Sequence, residues 1–197
     1  MHQLHIDILS IIVMTTCLGC TSGRYIAPHI DQTSANAFNR TIDLPFDSTW
    51  NNLIQYLSSS SFYIDHSEKA SGLVIVSFGS LYPGQYVTGG HWELKGNVEF
   101  SGDYVDYLVQ RADGNLQASM NIVVLPLGLQ KSKISVNASY FLSATIPDRA
   151  SYSWSFDSGS IDIKFVYNVS SAKGDSVTIA PTHKAEFAIL EAVSEAH

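Results

Sequence analysis

The stretch FDSTWNNLIQYLSSSSFYIDHSEKASGLVIVSF, residues 46–78, decides the fold of this chain. Apolar residues in its first half recur at i, i+3, i+4 and i+7, a spacing that predicts one apolar stripe along a helix. They are Trp50, Leu53, Ile54 and Leu57. Asp47 precedes the stripe and is predicted to cap the helix, because its carboxylate can accept hydrogen bonds from unpaired amides at the N-terminus.

A hairpin is predicted directly after the helix. The serine run 58–61 ends the stripe, and Phe62 and Ile64 then alternate with polar neighbours. A polar turn carrying Gly72 leads into the apolar run Leu73–Val76, which is typical of strand, turn and strand. A one-faced helix joined to a hairpin needs a further layer to cover both apolar faces.

The second half of the chain alternates with a period of two and predicts that layer. Apolar residues alternate with polar ones over 116–124 and 134–144, then over 161–169, with shorter runs at 152–156 and 177–179. A brief alternation at Thr41–Leu44 predicts an edge strand, and Ala185–Val193 fits a closing helix with Thr182 as a possible cap. We therefore predict an α+β fold, an antiparallel sheet of about five to seven strands covered on one face by both helices.

The composition of the chain limits its domain organisation and its classes of partner. The chain has 197 residues, 45% of them hydrophobic, and a formal charge of −7, so one globular domain is expected. The 11 Lys and Arg residues are scattered singly, which argues against a nucleic-acid partner.

The N-terminus is typical of an export signal. Residues 8–18 are mostly apolar, too few to span a bilayer, and small residues follow at 19–23. Both cysteines, Cys17 and Cys20, lie in this segment. A plain secretory signal and a buried N-terminal helix with inert cysteines are the alternatives.

The string Cys17-Leu18-Gly19-Cys20 resembles the lipobox of bacterial lipoproteins. The resemblance implies cleavage before Cys20 and attachment of acyl chains to that residue, and Thr21 resembles the signal of lipoproteins sent to the outer membrane. On this interpretation residues 1–19 are a signal peptide, 20–37 a flexible tether, and 38–197 a single α+β domain.

A candidate recognition loop lies between Gly79 and Tyr107, where glycines are interleaved with aromatic residues. Rigid rings on a pliable backbone offer contact area for a partner. The predicted partner-binding residues are Tyr82, Tyr86, His91 and Trp92. The alternative is a long connection whose rings fold back on the core.

The helix–hairpin segment resembles small outer-membrane lipoproteins, among them the helix-grip lipoprotein component of the outer-membrane-protein assembly machine (BamC or NlpB). The residues that carry the resemblance are Phe46-Asp47, Trp50, Leu53–Leu57, Phe62-x-Ile64 and Ser71-Gly72-Leu73. It implies a helix-grip fold and membership of an envelope complex.

Catalytic motifs are absent from the sequence. It contains no Gly-x-Ser-x-Gly, no His-Glu-x-x-His and no Gly-x-Gly-x-x-Gly, and the histidines that follow the leader are far apart and expected at the surface. We therefore expect no enzyme activity, no cofactor and no metal. The Asp157–Ser160 string is expected to be a turn.

Two functions remain. The first is a lipid-anchored, periplasm-facing outer-membrane protein that acts as an interaction subunit of a larger assembly or secretion complex, docking through a sheet edge or the aromatic loop. The alternative is a periplasmic module that binds a lipid or other apolar ligand in a cavity between sheet and helix.

Overall fold

The computed structural model describes residues 22–30, 35–80, 82–96, 99–145, 150–167 and 174–195. It has the predicted α+β class, with helices on a mostly antiparallel sheet. In chain order the strands are β1 (Ser22–Ile26), β2 (Asn39–Ile42), β3 (Tyr63–Glu68), β4 (Leu73–Ser80), β5 (Val87–Thr88), β6 (His91–Lys95), β7 (Phe100–Asp103), β8 (Asn115–Pro126), β9 (Ser132–Thr145), β10 (Ser151–Asp157), β11 (Asp162–Tyr167) and β12 (Gly174–Pro181). The helices are α1 (Phe46–Ser59), α2 (Tyr104–Arg111) and α3 (Lys184–Glu195).

Six strands form what we call the large sheet. Its order is β10-β9-β8-β4-β3, and β2 pairs with the beginning of β9 on the same side as β10. The strands β8 and β9 pair from Asn115↔Ser143 to Pro126↔Ser132 without a shift. The predicted hairpin β3–β4 is confirmed, with a bulge between Ile64 and His66.

Alternation along these strands divides the large sheet into a covered and an open face. On β8 and β9 every second side chain is buried, from Leu116 to Val124 and from Ser132 to Ala144. The helix α1 packs against β8 and α3 against β9, and the two helices touch. Both predicted helices therefore cover the same face, as expected from the stripe of Trp50, Leu53 and Leu57.

The structure contains more than the single sheet that the sequence predicts. In the described part of the chain, two smaller sheets with orders β1-β6-β7 and β11-β12-β5 accompany the large one. The strands β5, β6 and β7 of these sheets follow the end of β4 and precede β8, so they connect at the Ser80 and Leu116 end of the large sheet. Their buried residues belong to the same hydrophobic core as the helices.

Two local predictions are wrong. Pro45, not Asp47, stands at the N-cap of α1, because the helix begins at Phe46, and Asp47 in the first turn pairs with Lys69 at 2.8 Å. The flexible tether predicted at residues 20–37 is wrong at Ser22–Ile26, because these residues form β1, which pairs with β6 along its whole length. Thr182, the possible cap of the closing helix, donates its hydroxyl to the Gln85 carbonyl oxygen at 3.0 Å, and α3 begins two residues later at Lys184.

Two glycines with similar positive φ angles provide a test of the packing at the hairpin turns. Gly72 (φ 71°) would bring an added Cβ within 1.9 Å of the Val124 carbonyl oxygen, whereas Gly128 (φ 78°) has nothing within 4 Å. We expect Gly128→Ala to cost about 1 kcal/mol, from left-handed strain alone, and Gly72→Ala to cost about 4 kcal/mol because the β4–β8 pairing must also open. Urea denaturation of both variants measures this, and equal costs would contradict the packing at Gly72.

Candidate functional site

The four predicted partner-binding residues do not all lie at the surface. Tyr82 is 70% exposed and His91 is exposed, but Tyr86 is only partly exposed, with its ring 5.0 Å from that of Phe78. Trp92 is 2% exposed, so its assignment as a partner contact is wrong. Cys20 lies outside the described residues.

Rings of the Gly79–Tyr107 segment fold back on the core instead. Tyr104 and Tyr107 are 4% and 3% exposed, and Trp92 packs on both at centroid distances of 5.9 and 6.3 Å. The segment is not irregular, since it forms β5, β6, β7 and α2. The alternative interpretation, rings that complete the core, therefore holds for these three residues.

A carboxylate, two hydroxyl groups and a histidine lie close together between α3 and the large sheet. Glu186 has no solvent exposure. Its Oε2 accepts a hydrogen bond from the Tyr140 hydroxyl at 2.8 Å, and its Oε1 accepts one from the Ser158 hydroxyl at 2.7 Å. His183 Nδ1 lies 3.6 Å from Oε1. The cluster thus joins α3 to β9 and to the turn after β10.

Electrostatics keep this carboxylate ionised. Burial alone raises the pKa of Glu186, but His183, Ser158, its own backbone amide and Tyr140 together outweigh burial, and the pKa falls below its usual value. Burial and the adjacent carboxylate raise the pKa of Tyr140 far above its usual value. The phenol therefore stays protonated and donates throughout the physiological range.

This arrangement is suited to fastening a helix rather than to catalysis. A serine nucleophile needs its proton to be taken by a base, with access for substrate, whereas the Ser158 hydroxyl is 3% exposed and donates to the carboxylate. Its oxygen also accepts from the Ala138 amide at 2.7 Å. The turn predicted at Asp157–Ser160 is thereby fixed to β9.

The cluster matches no local sequence motif, although one residue in the sequence points to it. Glu186 falls three and four residues before Ile189 and Leu190, on the stripe that α3 buries, where a lone carboxylate requires partners. His183 was expected at the surface, and that prediction is wrong, because its side chain is 14% exposed and its ring packs 4.8 Å from Phe38.

The helix–sheet interface disfavours the predicted ligand cavity. Leu53 on α1, Ile189 on α3 and Ile122 on β8 all have no solvent exposure and belong to one continuous core. Side chains from both layers thus occupy the space that an apolar ligand would need.

The open face of the large sheet carries a shallow groove of about 650 Å³. Two rows of paired residues form most of it, Tyr63–Ser77–Ser119–Ser139 and Gly79–Gln117–Phe141–Ser155. The rings of Tyr63 and Phe141 are 74% and 44% exposed. The alternation along these strands predicts a solvent-exposed face here. Aromatic residues at positions of that face, Tyr63 and Phe141, are the signal that could have located the groove.

An exposed apolar tip, which we call the leucine tip, closes the β8–β9 hairpin. It consists of Leu125, Leu127 and Leu129, which are 46%, 46% and 89% exposed. The Leu127 amide donates to the Lys131 carbonyl at 2.8 Å, so the turn is closed and holds Leu129 outward. In the sequence, Pro126 and Gly128 in this segment predict a turn and do not show that its leucines are exposed.

Within the described residues, no group of three or more His, Cys, Asp or Glu side chains could hold a metal ion, and no helix is both long and apolar enough to cross a bilayer. The chain matches no protein-family model, no curated protein and no solved structure. The resemblance to envelope lipoproteins therefore stays a prediction.

Acid titration tests the buried cluster. Because the folded-state pKa of Glu186 is lowered, its stabilisation is complete above the usual glutamate value of about 4.3 and is lost as pH falls through the folded-state pKa. We expect Glu186→Gln to reduce the free energy of unfolding by about 2 kcal/mol at pH 7, and the difference from the parent chain to shrink at lower pH.

Urea denaturation between pH 7 and pH 3 measures that difference. Glu191→Gln is the control, because Glu191 is exposed on the same helix and its loss should leave stability nearly unchanged. Parallel pH curves for the parent chain and Glu186→Gln would contradict the role assigned to the carboxylate.

Proposed function

We propose that this protein is a lipid-anchored, periplasm-facing envelope protein, and that it acts as an interaction subunit of a larger outer-membrane complex for protein assembly or secretion rather than as an enzyme. The observation that carries the proposal is the separation of two ends of the domain. The candidate acylation site precedes one end, and the leucine tip occupies the other.

The anchor end follows from β1. Ser22 opens β1 two residues after Cys20, and Tyr25 on this strand packs 6.3 Å from both Trp92 and Tyr104. An acylated Cys20 would therefore hold the small β1-β6-β7 sheet close to the bilayer, because two residues reach no more than about 7 Å.

The leucine tip lies at the far end of β8. About nine residues separate Leu116, near the smaller sheets, from Leu125, which corresponds to roughly 30 Å of extended strand. With Cys20 in a membrane, the tip would face away from that membrane. Its three leucines would then be available to an apolar site on another envelope protein.

Charge near the tip favours an acidic rim on that partner. Lys131 and Lys133 are exposed beside the leucines, in a chain whose formal charge is −7. Lys131 is already paired with Asp43 at 2.8 Å, so Lys133 is the more available cation. The leucines of the tip would contact an apolar cleft on the partner, and Lys133 would pair with carboxylates at the rim of that cleft.

Acylation is tested with the two cysteines of the leader. We expect labelled palmitate to enter the parent chain and Cys17→Ala, but not Cys20→Ala, because only the residue that becomes the new N-terminus is acylated. Cys17→Ala is the matched control, three residues away in the same segment. Label retained by Cys20→Ala, or absent from all three chains, would overturn the anchor.

Docking is tested by photo-crosslinking in intact cells. A crosslinking residue placed at Leu129 should give one discrete protein adduct, and the adduct should diminish when Leu125 and Leu127 are both changed to Ser, since the apolar contact is then lost. The same residue placed at Tyr82, which is 70% exposed at the other end, is the control. Adducts at Tyr82 alone would assign docking to the aromatic segment instead.

A further inference from the structure

We propose that the groove on the open face of the large sheet binds a neutral glycan chain that carries acetamido groups. This site is on a different surface from the leucine tip and does not depend on acylation of Cys20. The side chains that form the groove carry the proposal.

The depth of the groove comes from small residues set between large ones. Gly79, Ser77, Ser119 and Ser139 form its floor, and Tyr63 and Phe141 stand on either side. Neighbouring strands are about 4.8 Å apart, so β3 and β9 are separated by roughly 14 Å. A single sugar ring would reach only one of the two aromatic side chains, whereas a chain of several rings would reach both.

The lining is uncharged, although the protein as a whole is acidic. Every lining residue is neutral, while the chain carries 18 acidic residues and a formal charge of −7. Asp65, next to the groove, accepts a hydrogen bond from the Ser77 hydroxyl at 3.1 Å. A solvated sheet face ordinarily uses charged side chains to prevent association, so a neutral groove is suited to a neutral ligand.

A ligand over the centre of the groove must be recognised by side chains. The central strands β4, β8 and β9 are paired on both sides, so their amides and carbonyls bond within the sheet and these three strands offer no edge to a peptide strand. Ser119, Ser139 and Gln117 are exposed. Hydroxyls both donate and accept hydrogen bonds, which matches the hydroxyl groups of a sugar.

The two aromatic rings provide the apolar contribution. Tyr63 is 74% exposed and Phe141 is 44% exposed, and each presents ring surface that a packed sheet would normally cover. Sugar rings combine an apolar face of C–H groups with a rim of hydroxyls. A ring stacked on Tyr63 or Phe141 would therefore place its hydroxyls over the serines of the floor.

Gln117 favours acetamido sugars in particular. It lies between Gly79 and Phe141 in the second row, and the absence of a side chain at Gly79 leaves space beside its amide. A primary amide can donate to and accept from the acetamido group at once. A lipid would form no hydrogen bonds with these polar side chains. By excluding water from the groove it would leave them without hydrogen-bond partners.

The proposal is tested with the hexamer of β-1,4-linked N-acetylglucosamine and the purified full chain in detergent. We expect calorimetry to detect binding, with amide chemical-shift changes in β4, β8 and β9. Tyr63→Ala and Phe141→Ala should each weaken binding about tenfold, since each removes one stacking surface. Ser119→Trp fills the floor and should abolish binding.

Matched controls separate the groove from the rest of the surface. Tyr82→Ala removes an exposed tyrosine outside the groove, and Ser153→Trp adds a ring at an exposed position of β10 outside the groove, so both should bind the hexamer as the parent chain does. Thermal unfolding verifies that each variant is folded.

Three outcomes would overturn the proposal. They are no binding of the hexamer by the parent chain, equal weakening by the control variants, and groove variants that still bind the hexamer but lose a protein adduct in cells, which would make the groove a protein interface. Because soluble sugar binding does not require Cys20, failure here is distinguishable from failure of the anchor.

Discussion

The uninterrupted register between β8 and β9 is the constraint on which the rest of the structure depends. Twelve paired positions run from Asn115↔Ser143 to Pro126↔Ser132, and a slip by one residue would exchange the two faces of the sheet. Because the register holds, Leu116, Ile134 and Leu142 all lie on the buried face of the sheet, in the hydrophobic core. The same register places Ser119 beside Ser139 on the open face, so packing and groove have one origin.

Buried polar contacts fix where the helices lie on that apolar layer. Thr49 of α1 and Ser132 at the start of β9 have no solvent exposure and share a 2.7 Å hydrogen bond, and Glu186 of α3 is held by Tyr140 and Ser158. Apolar stripes tolerate sliding, but a buried hydroxyl or carboxylate is satisfied in only one position. We infer that these contacts select one arrangement among several that would bury similar area.

Periodicity accounts for what the sequence predicts well. The strands β8 and β9 alternate over many residues because each has one wet face, and α1 and α3 show apolar stripes for the same reason. The strands β5 to β7 have two to five residues and lie among glycines and buried rings, so no period emerges from them. β1 gives no signal in isolation, because its pairing with β6 depends on a residue separation that local patterns do not contain.

Function is harder to predict because both candidate surfaces arise only from the assembled fold. The leucine tip is three alternate leucines in the sequence, and only the closed turn at Leu127 and Lys131 shows that they face solvent. The groove draws on β3, β4, β8, β9 and β10 at once, so no contiguous motif encodes it. The two surfaces are also independent, since one is the end of a hairpin and the other is a sheet face. A partner held at the tip would leave the floor between Tyr63 and Phe141 open, so the proposed protein contact and the proposed glycan contact do not exclude each other.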